Sequence, residues 1–219
     1  MSIDLPERIG VSILARAPVP GQAKTRLIPV LGANGAARLQ RWLLHRTVAL
    51  ALAADVGPVT LWCAGEPHHP DFLLYRAFAS VRLRPQPEGD LGERMLTAVR
   101  QSATPAGTLV IGTDCPTLSA AHLHRAGEAL RDHDAVALPA EDGGYVLIGM
   151  KTPAPELFSG IAWGSERVMA QTRRRLAALA WRWSEPAILW DVDRPEDLQR
   201  LAALFPDIGD ALACGGEAA

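Results

Sequence analysis

The chain predicts an open α/β fold on a mostly parallel sheet, and three observations carry that expectation. Apolar, β-branched runs recur at 9–15, 59–63, 81–84, 108–111, 134–138 and 146–149, and segments with helical spacing lie between most of them. The run 108–111 is apolar or β-branched on both faces, as a central strand covered by helices on both sides must be. The runs 9–15 and 108–111 both stop in proline-punctuated polar turns, which puts cations and a carboxylate at the carboxyl edge of a parallel sheet, where such folds bind ligands.

The helices follow from periodicity and punctuation. Residues 33–54 are rich in alanine and leucine, with Leu39, Leu43 and Leu50 at helical spacing, and Gly57-Pro58 stops the run. A short helix is expected at 71–79. Asp90 followed by Glu93 reads as a capping-box start for a helix reaching about Ser102. Further helices are expected at 119–131 and at 166–180 with Ser165 as cap, and Trp181-Arg182-Trp183 suggests a short strand. The last helix is expected to open on Pro195, whose fixed φ suits a first helical position, with Glu196 and Asp197 in the first turn.

Length and composition narrow the class. A chain of 219 residues fits one domain, expected over 1–212 with 213–219 as a frayed tail. A net charge of -2 gives no basic field for nucleic acid. Cys63, Cys115 and Cys214 are odd in number and far apart, which indicates neither a disulfide framework nor a zinc site and suits a reducing cytoplasm. No apolar stretch reaches membrane-spanning length, and the opening residues, with Asp4, Glu7 and Arg8, do not read as a leader, so a soluble cytoplasmic protein is expected.

Five motifs carry the chemistry. After the first strand, residues 16–27 form a loop with Arg16, Lys24 and Arg26; Lys24 and Lys151 are the only lysines in a chain that otherwise writes arginine. The loop reads equally as a phosphate clamp or a solvated basic turn. Gly89, Gly92 and Arg94 sit at a helix mouth whose backbone N–H groups suit an anionic or nucleotide ligand. Asp114, locked by Pro116 at the end of a central strand, is placed to hold a metal ion, although a cap or turn role is as common for such an aspartate. Glu141 and Asp142 precede Gly143-Gly144, which marks either a hairpin turn or a backbone that admits substrate beside an acid. Asp191 and Asp193 alternate on one face of an extended segment.

Together these motifs resemble the bacterial radical-SAM/selenodomain-associated, or arsenosugar-type, glycosyltransferases of the nucleotide-diphospho-sugar transferase (GT-A) superfamily. The matching blocks are 15–27, with Ala15 and Arg16 at its head, Gly89-Asp90-Leu91-Gly92-Glu93-Arg94-Met95, 112–116, 141–145 and 191–198. The resemblance implies a three-layer α/β/α sandwich. It also implies that Asp114 and Asp193 are metal carboxylates, that Mg²⁺ or Mn²⁺ is the ion, and that Ala15, Arg16, Lys24, Arg26, Gly89, Gly92 and Arg94 meet the nucleotide and its phosphates. The leading expectation is a metal-dependent glycosyltransferase taking a sugar from a nucleoside-diphosphate donor to a small acceptor, with Glu141 or Asp142 orienting that acceptor or taking its proton. The alternative is a nucleotidyltransferase that joins a nucleoside triphosphate to a phosphorylated small molecule and releases pyrophosphate. A third reading is a nucleotide binder without turnover. Pro18 and Pro20 stand where nucleotidyltransferases of this superfamily carry a glycine-rich loop, which weighs toward the glycosyltransferase.

Overall fold

The computed structural model describes residues 8–213. The residues 214–219 of the expected tail, with Cys214, and the acids Asp4 and Glu7 lie outside the described residues; Ala213 closes the last helix.

Seven strands form one sheet: β1 (Gly10–Arg16), β2 (Val59–Ala64), β3 (Val81–Pro85), β4 (Thr108–Ile111), β5 (Ala135–Pro139), β6 (Tyr145–Met150) and β7 (Trp183–Ser184), in the order β3-β2-β1-β4-β6-β5-β7. The β3-β2-β1-β4 half is parallel throughout, and β5 pairs in parallel with β7; β6 runs antiparallel to both β4 and β5. The sheet is therefore mostly parallel, with one reversed strand that the hairpin 140–144 turns back. Gly143 makes that turn tight: its φ is +89°, and a Cβ there would lie 2.1 Å from the Glu166 carbonyl oxygen. From β1 the chain winds outward through β2 and β3, then returns to place β4 on the other side of β1. The β1/β4 boundary is thus a topological switch point, which opens a crevice at the carboxyl edge.

Helices cover both faces. α1 (Ile28–Ala54) and α4 (Ala120–Asp132) pack on one side, where Leu44, Val48, Leu123 and Ala126 meet the buried faces of β1, β2 and β4. On the other side lie α3 (Leu91–Gln101), α5 (Pro155–Phe158) and α6 (Val168–Ala178), where Met95, Val99, Phe158 and Leu176 pack on Val110 and Ile148. α2 (Pro70–Leu73) bridges β2 and β3. α7 (Asp197–Leu204) and α8 (Ile208–Ala213) seal a third apolar cluster in which Leu201 and Ile208 meet Leu39, Leu43, Trp190 and Val192.

Several boundaries differ from expectation for local reasons. α1 starts five residues early, but Gly32 has non-helical angles, so the regular helix begins near residue 33. The expected helix 71–79 is the single turn α2 followed by a 3₁₀ turn, Leu74–Ala77. α6 does not begin after Ser165: that hydroxyl donates to the Ala162 carbonyl at 2.7 Å, and the helix starts three residues later. Pro195 is not a first helical position. α7 begins at Asp197, whose carboxylate turns back to accept the N–H groups of Asp193 and Arg194.

Candidate active site

The carboxyl ends of β1 and β4 open into a cavity of about 740 Å³, enough for a nucleotide and a small second substrate together. Two glutamine side chains, Gln40 buried and Gln86 half-buried, shape its floor. Gln40, on the core face of α1, donates to the Arg16 carbonyl and to Thr113 Oγ1, both at 3.2 Å; Gln86 donates to the carbonyls of Ala15 and Trp62 at 3.0 and 2.9 Å. They satisfy backbone groups that lose ladder partners where the strands splay apart. Neither was singled out in the sequence, though a lone polar residue on the apolar stripe of a long helix was a readable signal at Gln40.

Asp114 lies just past β4, with its backbone stitched to the segment before α7: Val192 N–H donates to the Asp114 carbonyl at 2.9 Å. Lys24 lies beneath both. Its backbone is left-handed (φ 48°), and its Nζ reaches the Val192 carbonyl at 2.6 Å and Asp114 Oδ1 at 2.7 Å. The lysine side chain is 5% exposed and the aspartate 50%, so the cation is sunk and the carboxylate faces the cavity. Arg26 forms the neighbouring pair with Asp193. Both loop cations are therefore matched to acids, and Arg16, which has no carboxylate partner among the described residues, adds positive charge at the mouth.

Asp191 and Asp142 complete the acidic wall. Burial, then the charges of Asp142 and Asp114, push the Asp191 carboxyl up to about 6, with Lys24 acting in the opposite direction. Asp142 Oδ1 also accepts the Gly144 N–H at 2.8 Å, an Asx turn that fixes the hairpin.

Of the residues expected at the site, Ala15, Arg16, Lys24, Arg26, Arg94, Asp114, Asp142 and Asp193 all line this cavity. Glu141, Gly89 and Gly92 do not. Glu141 turns away from its neighbour and makes a two-pronged pair with Arg200 at 2.7 and 3.0 Å, which holds its carboxyl below the usual range. At the mouth of α3 the capping box is complete, Glu93 N–H to Asp90 and Asp90 N–H to Glu93 at 2.9 Å, so two of the N–H groups expected to face an anion are already taken. Gly92 instead permits close packing, since a Cβ there would meet the Trp163 ring at 2.8 Å and the Phe158 carbonyl at 2.9 Å.

An acid-and-cation crevice at the switch point of a mostly parallel sheet is where open α/β folds bind their ligands. The chain belongs to the family of uncharacterized proteins conserved in bacteria termed DUF2064, whose model matches residues 47–165. It is 32% identical over 186 residues to a 3-phospho-D-glycerate guanylyltransferase of Phenylobacterium zucineum, a match covering 82% of this chain and 84% of that protein. A crystal structure from Desulfovibrio desulfuricans G20, assigned as a nucleotide-diphospho-sugar transferase, superposes with a TM-score of 0.79 at 25% identity over 93% of this chain and 96% of that one. A nucleotidyl transferase from Methanothermobacter has the same fold, with a TM-score of 0.60 at 15% identity over 91% and 99%. The α/β fold of nucleotide-diphospho-sugar transferases read from the motifs is thus the fold of this chain. The narrower radical-SAM and arsenosugar association is not part of what these matches show. Among the described residues, no helix is long and apolar enough to cross a membrane.

Proposed function

We propose that this protein is a nucleotidyltransferase that joins a nucleoside triphosphate, with guanosine triphosphate the first choice, to a phosphorylated small carboxylic acid and releases pyrophosphate. The observation that carries this reading is the kinship at 32% identity, over four-fifths of both chains, with a protein named as a 3-phospho-D-glycerate guanylyltransferase. Pro18 and Pro20 weighed toward a glycosyltransferase, and the D. desulfuricans likeness is compatible with one. The guanylyltransferase kinship is the more specific of the two.

The chemistry suits the side chains present. An oxygen of the acceptor phosphate attacks the α-phosphorus; the new P–O bond forms as the bond to the bridging α,β oxygen breaks, and that electron pair leaves on pyrophosphate. A phosphate that is mostly dianionic at neutral pH needs no general base, so the outward turn of Glu141 removes nothing the reaction requires. What it requires is offset of negative charge on the leaving group. Arg16 and Arg26 at the cavity wall, with Lys24 behind Asp114, supply that charge. Asp142, fixed by its Asx turn, borders the space left for the acceptor.

A divalent cation fits the donor set. Burial first, and then the charges of Asp142 and Asp114, raise the Asp191 carboxyl, and a cation would relieve the part that those charges contribute. Mg²⁺ or Mn²⁺ suits oxygen donors of this kind, since these ions are carried by one or two carboxylates plus substrate phosphates. Asp114, with Asp193 or Asp191 as the second carboxylate, would hold it, and bound there it would neutralise triphosphate charge.

The test is pyrophosphate release from guanosine triphosphate and 3-phospho-D-glycerate with Mg²⁺, alongside a panel of other triphosphates and nucleotide sugars. Acceptor-dependent pyrophosphate is the expected result. Release of a nucleoside diphosphate from a sugar nucleotide, without pyrophosphate from any triphosphate, would overturn the proposal in favour of glycosyl transfer.

A further inference from the structure

The two sides of the crevice are joined by one buried amide. β1 and β4 pair from Gly10↔Thr108 to Ile13↔Ile111 and then part. β1 stays with β2 as far as Arg16↔Ala64, while Gly112 N–H turns to the Val146 carbonyl of β6 at 3.4 Å. Past that point no ladder bond ties the strand that leads into the cationic loop to the strand that leads into Asp114. Gln40 closes the gap: its Nε2 donates to the Arg16 carbonyl on one side and to Thr113 Oγ1 on the other, both at 3.2 Å.

Gln40 and Thr47 are the polar residues on the buried face of α1, 3% and 2% exposed. Thr47 spends its hydroxyl inside its own helix, on the Leu43 carbonyl at 2.8 Å. Gln40 sends both amide hydrogens off the helix. Chemistry fixes which end of the amide faces the crevice walls, because the Arg16 carbonyl can only accept and must meet the nitrogen. Thr113 Oγ1 accepts the second N–H, so the threonine's own proton is left to point elsewhere, and Asp114 Oδ1 lies 3.4 Å away. A hydroxyl at that distance is a weak donor, and its weight lies in direction. Lys24 Nζ holds the same oxygen at 2.7 Å. Oδ1 is therefore engaged from the protein side, whereas Oδ2 has no partner among the described residues. The backbone of the turn is pinned separately, by Val192 N–H on the Asp114 carbonyl at 2.9 Å and by Arg46 Nε on the Pro116 carbonyl at 2.8 Å. Neither of those bonds reaches the strand that carries Arg16.

We infer that Gln40 is a positioning residue: through Thr113 it sets the spacing between the Arg16 loop and Asp114, and it keeps Asp114 Oδ2 free for the cation that accompanies the nucleotide. The inference rests on the nucleotidyltransferase reading for the identity of that nucleotide. The bridge itself, and its effect on cation binding, would serve either kind of transferase.

The experiment measures Mn²⁺ affinity by electron paramagnetic resonance with the α,β-methylene analogue of guanosine triphosphate present, in wild type and in Gln40→Met, which fills a similar volume and carries no donor. Partners behind a metal carboxylate are worth about 10–100-fold in affinity, so Mn²⁺ should bind Gln40→Met at least about tenfold more weakly. The analogue in chelator should bind the variant as tightly as it binds wild type. Thr113→Val removes the same bond from its other end and should match Gln40→Met; the double variant should be no weaker than the weaker single one, because the two side chains act as a unit. Thr47→Val, an equally buried loss on the same helix, should lower the melting temperature and leave Mn²⁺ affinity in place. An affinity in Gln40→Met within about twofold of wild type overturns the positioning role. So does an additive loss in the double variant, and so does a wild type that binds no Mn²⁺ with the analogue or with any sugar nucleotide. The pyrophosphate assay separates the two claims. Pyrophosphate release by wild type with unchanged Mn²⁺ affinity in Gln40→Met removes the positioning role alone; weakened Mn²⁺ binding without pyrophosphate from any triphosphate keeps that role and removes the nucleotidyltransferase.

Discussion

Two aspartates in this molecule each have a basic partner, and they are arranged in opposite ways. At Asp71 the carboxylate is sunk, 10% exposed, beneath an Arg41 that is 47% exposed; at Asp114 the carboxylate is open, 50% exposed, above a Lys24 that is 5% exposed. Asp71 accepts both contacts from Arg41 Nε, at 3.0 and 2.8 Å, and lies 3.3 Å from His45 Nε2, whose other ring nitrogen meets the Tyr75 hydroxyl. That network ties α2 and the 3₁₀ turn after it to α1, and it leaves the carboxylate little capacity for anything else. Asp114 has one cation below it and unused lone pairs facing the cavity. The order of burial within the pair, rather than the presence of a pair, separates an acid that holds the fold from one available to a ligand.

The contrast breaks most sharply in activity. Asp114→Asn keeps an oxygen for Lys24 and removes the charge that faces the cavity. Turnover in the pyrophosphate assay should fall about 100-fold or more, while the melting temperature drops by no more than about 4 °C. Turnover near the wild-type rate would show that the open carboxylate is not used. Asp71→Ala should give the reverse. Stranding His45, Tyr75 and Arg41 costs about 2 kcal/mol, a fall of about 5 °C for a chain of this size, with turnover at 25 °C unchanged among molecules that remain folded. A loss of turnover exceeding the loss of folded protein would mean that the network reaches the active site.

Asp191 sharpens the comparison, because burial and two acidic neighbours disfavour its charge. Its carboxyl is pushed from 3.8 up to about 6 by burial and by Asp142 and Asp114. A group raised in the folded state contributes stability that is present below about pH 4 and lost as pH rises through about 6. The full shift is discounted for a partly exposed group, which leaves about 1 kcal/mol. In chelator, Asp191→Asn should therefore gain about 1 kcal/mol at pH 7 over the wild type and flatten the fall in urea midpoint between pH 4 and 6, while losing turnover. Equal midpoints at pH 7 would remove the repulsion from the account.

How much of this was legible in the sequence depended on the range of each interaction. The capping box at Asp90 and Glu93 spans three residues and was readable, as were the strand runs and the carboxyl edge where Asp114 and the 16–27 loop meet. The reversed strand β6 was not, because an apolar run does not state its direction. Contacts across long stretches of sequence left no signal: Lys24 meets Val192 across 168 residues, and Glu141 meets Arg200 across 59. The helix mouth at Gly92 shows the cost of reading locally. Its glycine suggested a bare anion site, whereas the structure uses the missing side chain to seat Trp163, a partner that no spacing rule connects to it.

Glu141 and Asp142 carry the smallest expected effect, and they test whether neighbouring acids can be told apart by their partners. A one-residue step in an extended turn reverses the side-chain direction, and here it sends Asp142 to the cavity and Glu141 to Arg200, whose guanidinium lies 4.4 Å from the centroid of the Trp190 ring. With both partners of that pair about half exposed, solvent screens it heavily. The stacking of Arg200 on Trp190 does not depend on the glutamate charge. Glu141→Gln should accordingly leave turnover within about twofold and the melting temperature within about 1 °C, and raising the salt concentration should change neither difference. A tenfold loss of turnover would place Glu141 in the reaction and would mean that the pair with Arg200 opens when substrate binds. Arg200→Gln would then share the phenotype, because both side chains would belong to a latch that the bound state releases.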